Sequence, residues 1–167
     1  MLNLGNHHGI QLHAQHHLQS EDILKICSLA NFEESIEQTF EKISSFSFEQ
    51  FFGFTCHLFV TTDSLAVRED LAYILPKFGS LAVLSLLKIS HHFQSHPEAD
   101  HSIAQLASRS LEIMELQPLA VGLSNVITGS ESTEVMSTLV PTLIQLTYYH
   151  GENLFSLIEQ QTSAERW

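Results

Sequence analysis

The chain has 167 residues, 44% hydrophobic and only 16% charged, with nineteen acids against seven bases and a net charge of −12. This length suits one domain with a sizeable core, and so apolar a composition excludes a largely disordered chain. The seven cations, from Lys25 to Arg166, are scattered without a cluster. That excludes a binder of nucleic-acid backbone, which needs concentrated positive charge.

Residues 1–19, MLNLGNHHGIQLHAQHHLQ, sustain neither a helical nor a strand period and read as a flexible arm. Were the end of this arm helical, His13, His16 and His17 would share a face able to hold a divalent metal. The start of the chain has no basic stretch leading into an apolar core, so no signal peptide is expected, and a reducing cytoplasm is the default compartment. Cys27 and Cys56 are too few for a disulfide scaffold or thiolate zinc site. Their apolar surroundings predict buried free thiols.

Ser20 before Glu21 and Asp22 opens a first helix. Asn31 with Glu34 is a capping-box pair that starts a second near Phe32. Its apolar stripe is Phe32, Ile36, Phe40 and Ile43. On another face Glu33, Glu37 and Glu41 stand one turn apart, at a cost of a few tenths of a kcal/mol per pair. This acidic row is the candidate contact for a basic protein partner.

Ser47 and Gln50 form a further cap ahead of FEQFFGFTCHLFV. Phe48, Phe51, Phe52 and Thr55 share a helical face, which favours helix over strand for this run. A helix over 64–75, capped by Thr62 or Asp63, buries Val67, Leu71, Ile74 and Leu75. After Gly79 and Ser80 comes LAVLSLLKI, apolar on nearly every side and therefore expected at the centre of the fold. A histidine-rich corner leads to an amphipathic helix that starts at Pro97 and runs to 116, with Gln105, Arg109 and Glu112 on its polar face. Arg109 and Glu112 join the glutamate row as candidate partner contacts.

Pro118 is expected to break that helix, with a short one following over 119–128 and Gly129 taking a left-handed terminus. VMSTLVPTLIQLTYY reads as a buried helix reaching Tyr149, with Pro141 inside it. NLFSLIEQQ follows Gly151, and 163–167 should fray. Both apolar stretches after Pro118 fall short of the roughly 20 residues a membrane span requires and are diluted by polar residues, so membrane association is not expected. The fold expected is all-α, a compact bundle of about eight short-to-medium helices around an apolar central one. Residues 20–162 would form a single helical domain.

Histidine is over-supplied, with eleven in the chain. Glu98 and His101 make an E-x-x-H pair, but no second pair exists to complete a dinuclear site. The H-E-x-x-H zinc-protease pattern, the G-x-S-x-G elbow and a Gly-rich phosphate loop are all absent. These absences, the acidity and the low charged fraction favour a non-catalytic regulatory or adaptor protein that works through protein contacts as a homodimer. The alternative is a sensor holding haem, a divalent metal or an apolar ligand through His57, His91, His92 or His101.

Overall fold

The computed structural model describes residues 47–96, 98–129 and 133–165. The readings for the N-terminal arm with His13, His16 and His17, for Cys27, and for the helix with Glu33, Glu37 and Glu41 lie outside these residues. Among the described residues there are seven α-helices, one 3₁₀ turn and no strand. The all-α expectation holds. The chain divides into two compact units at Phe78/Gly79.

In the first unit α1 spans Phe48–Thr61 and α2 Leu65–Ile74, followed by a 3₁₀ turn over Leu75–Phe78. The expected capping box is present. Ser47 Oγ accepts from the Gln50 N–H at 3.2 Å, and Gln50 Oε1 accepts from the Ser47 N–H at 3.3 Å. Two of the orphan donors at the helix start are thereby satisfied. Phe51, Phe52, Thr55 and Phe59 are buried, and the run from Cys56 to Val60 is helical, not extended.

Phe78 closes this core from the 3₁₀ turn, its ring centroid 5.2, 5.6 and 5.1 Å from those of Phe48, Phe51 and Phe52. Such offset and tilted aromatic pairs each add about 1 kcal/mol to the apolar burial. The cap of α2 is Ser64, whose Oγ accepts from the Val67 N–H at 3.3 Å, and neither Thr62 nor Asp63 fills that role. Thr62 Oγ1 accepts instead from the Ser64 N–H at 3.2 Å, which orients the cap. Val67 and Ile74 are only half-buried, and Arg68 takes the buried position beside Leu71 and Ala72.

The second unit holds α3 (Leu81–Ser95), α4 (His101–Ile113), α5 (Leu116–Thr128), α6 (Thr133–His150) and α7 (Glu152–Glu165). Gly79, at φ +72°, turns the chain into α3 through a left-handed conformation open to glycine. The expectation for LAVLSLLKI is met, since α3 packs against α4, α5 and α6. Ala82, Val83, Leu86, Leu87 and Ser90 form its buried side. The pairing of α3 with α4 is the most extensive, and α7 closes the unit against α5 and α6.

Where α3 crosses α5 the backbones come close. A Cβ on Gly122 would fall onto the Val83 side chain, 2.6 Å from its Cβ, and 3.1 Å from the Ser80 carbonyl oxygen. A side chain is sterically excluded there.

Several helix ends differ from expectation. The amphipathic helix starts at His101, not Pro97, because Asp100 supplies the cap: its Oδ1 accepts from the Ser102 N–H at 2.9 Å. The break after it falls at Met114 and Glu115, and Pro118 sits inside the first turn of α5. A proline is tolerated there because the first N–H groups of a helix have no intrahelical partner. Gly129 ends α5 in extended backbone at φ −75°, not in a left-handed cap. Gly151, at φ +77°, does make the left-handed turn between α6 and α7. α7 remains helical through Glu165, past the start of the tail expected to fray.

Candidate functional site

The expected polar face of α4 lines a groove. Gln105, Ser108, Arg109, Glu112 and Ile113 follow one another at helical spacings of three, one, three and one, so they form one continuous stripe. Gln145 and Tyr149, one turn apart on α6, face that stripe, and Gln94 from the last turn of α3 closes one end. The groove has a volume of about 410 Å³. The opposite side of α4, with Ile103, Ala104, Ala107 and Leu111, is buried, which fixes the direction in which the polar stripe points.

Within the groove, Gln145 Nε2 donates to Glu112 Oε1 and ties α6 to α4. Ser108 Oγ lies 3.1 Å from Ser90 Oγ on α3. The Arg109 side chain is exposed. The lining therefore combines three carboxamides, a guanidinium and a carboxylate with the edges of Ile113 and Tyr149. Carboxamides both donate and accept, so such a groove can pair with a peptide backbone or polar side chains.

The candidate histidine ligands lie on three helices. His57 is exposed on α1, His91 half-buried and His92 exposed on α3, and His101 exposed at the start of α4. At the corner the His92 and His96 rings form a tilted pair with centroids 4.2 Å apart, and His96 Nδ1 sits 2.7 Å from the His92 carbonyl oxygen. Among the described residues no group of three or more His, Cys, Asp or Glu is placed to hold a metal ion. The Arg109 groove contains none of the four histidines.

A second surface feature contradicts the expectation of a buried α6. Leu139 and Leu146 are buried, but Met136, Val140, Ile144 and Tyr148 are 37, 59, 66 and 94% exposed. These four recur at intervals of four and form one ridge along the helix. From 135 to 149 the sequence has no Asp, Glu, Lys or Arg. No described helix is long and apolar enough to cross a membrane. The chain matches no protein-family model, no curated protein and no solved structure.

Proposed function

We propose that this chain is a non-catalytic helical protein, a regulator or adaptor, that works through protein–protein contacts as a homodimer in the reducing cytoplasm, with residues 20–162 as a single helical domain. The observation that carries this reading is the exposed ridge of Met136, Val140, Ile144 and Tyr148. Single exposed apolar residues are ordinary on any surface. Four in register on a stretch without Asp, Glu, Lys or Arg make a contiguous patch of the kind that marks an interaction site.

The groove beside it offers a separate, polar surface for a protein partner other than the second copy. Arg109 and Glu112 stay as the proposed partner-contacting residues of α4, with Glu33, Glu37 and Glu41 as a further acidic contact for a basic partner. Sedimentation equilibrium of the full chain tests the assembly. The expected result is a reversible dimer at micromolar concentration, and a monomer across that range would overturn the homodimer reading.

A further inference from the structure

The ridge on α6 has a property that selects its occupant. Its four positions are symmetric about residue 142, so a second α6 laid antiparallel sets Met136 against Tyr148 and Val140 against Ile144, and the same pairs recur with the copies exchanged. A surface of this kind is self-complementary, which is what a two-fold contact requires. Ridges built from residues four apart also interdigitate in the commonest class of helix packing.

Charge points the same way. Each copy carries −12, so two copies repel wherever carboxylates are brought together. The stretch 135–149 has no charged residue and lets like-charged copies meet without opposing ions. A basic partner would gain nothing on this face and would be drawn to the carboxylates elsewhere. A stable dimer also sets a size requirement. Patches of about 300–600 Å² are the largest on ordinary monomers, and a standard interface takes about 800 Å² from each side. Ser137 and Pro141, both exposed, widen the ridge toward that area.

We infer that the ridge Met136–Val140–Ile144–Tyr148 is the dimer interface of this protein, with the two α6 helices antiparallel and the two-fold axis passing between Val140 and Ile144. This rests on the homodimer reading and fixes its surface and orientation. The copies bury each other's Ile144 and Tyr148, and the two Arg109 grooves are left on the flanks of the pair.

The test uses the full chain. Ile144→Glu and Tyr148→Glu are expected to weaken dimerisation at least 100-fold in sedimentation equilibrium, with the helical circular dichroism unchanged because both side chains are exposed in the single chain. Orientation is read by oxidative crosslinking in a Cys27→Ser/Cys56→Ser background. A Val140→Cys copy mixed with a tagged Ile144→Cys copy should give the mixed disulfide in preference to either self-linked pair. A monomeric wild type would overturn both the dimer and the interface. A dimer indifferent to both glutamates would keep the dimer and overturn the ridge. Preferential self-linking of Val140→Cys would overturn the antiparallel arrangement.

Discussion

Arg68 occupies a position that an arginine seldom holds. It is buried on α2, and its Nε donates to the Phe59 carbonyl oxygen at 2.8 Å while Nη2 donates to that of Thr62. Both acceptors lie at the end of α1, where carbonyls lack intrahelical donors and the helix dipole favours a cation. The side chain thus serves as a C-terminal cap delivered from the next helix. Hydrogen bonds to a charged group contribute about 1.5–3 kcal/mol each. Arg68→Ala should therefore lower the unfolding free energy by about 3 kcal/mol in urea titration, and Arg68→Lys should recover only part of it, since one ammonium cannot reproduce the fork.

Cys56 makes a second prediction at this scale. Burial pushes its thiol from the usual 9.0 up to about 12. The folded state then holds this proton more tightly than the unfolded chain. The resulting stability is complete below pH 9 and is lost as pH rises from 9 toward 12. Cys56→Ala should flatten the decline in melting temperature above pH 9. Alkylation at pH 8 followed by peptide mapping should find Cys56 unmodified in the native protein and modified in urea.

Among the elements, the existence of each described helix was legible in the sequence, and several boundaries were not. The apolar periods of α1 and α4 are legible because each has a defined buried side, and α3 stands out because it is apolar on nearly every side. Caps were legible where one candidate stood alone, as at Ser47. They were misplaced where several polar residues competed, as among Thr62, Asp63 and Ser64, or where a proline suggested a boundary that Asp100 actually supplies. The site was half legible. Arg109 and Glu112 stand out as one polar stripe, but nothing local announces that Gln94, Gln145 and Tyr149 lie opposite them, because that apposition is a product of packing. The ridge on α6 was misread as core for a related reason. A helix apolar on both sides gives no sign of which side meets its neighbours.

Gly122 shows the same dependence on packing. Alanine in a helix interior is favoured over glycine by about 1 kcal/mol, so propensity alone predicts that Gly122→Ala stabilises. The Val83 side chain standing where the new methyl would go reverses the sign. A β-branched residue in a helix has one strongly preferred rotamer and cannot step aside, and overpacking costs about 1–3 kcal/mol. Gly122→Ala should thus destabilise by about 1–2 kcal/mol. In a double-mutant cycle Val83→Gly, which removes the Cβ at 2.6 Å as well as the branched methyls, should relieve that penalty, giving a coupling well above the roughly 0.5 kcal/mol expected of independent sites.

On the scale of the whole molecule, the opposition between net charge and local neutrality decides how association responds to salt. Copies each carrying −12 repel over the distance set by the Debye length, about 30 Å at 0.01 M and 8 Å at 0.15 M ionic strength. An interface held by ion pairs weakens as salt rises. One formed by Met136, Val140, Ile144 and Tyr148 has no ion pair to lose, and screening removes only the repulsion. Sedimentation equilibrium at 20 mM and 300 mM sodium chloride should therefore show the dimer tightening several-fold at the higher concentration. The Arg109→Gln variant should show the same salt response, because the groove lies beside the two-fold contact and takes no part in it. A dimer that loosens with salt would place charged residues, and not the α6 ridge, at its centre.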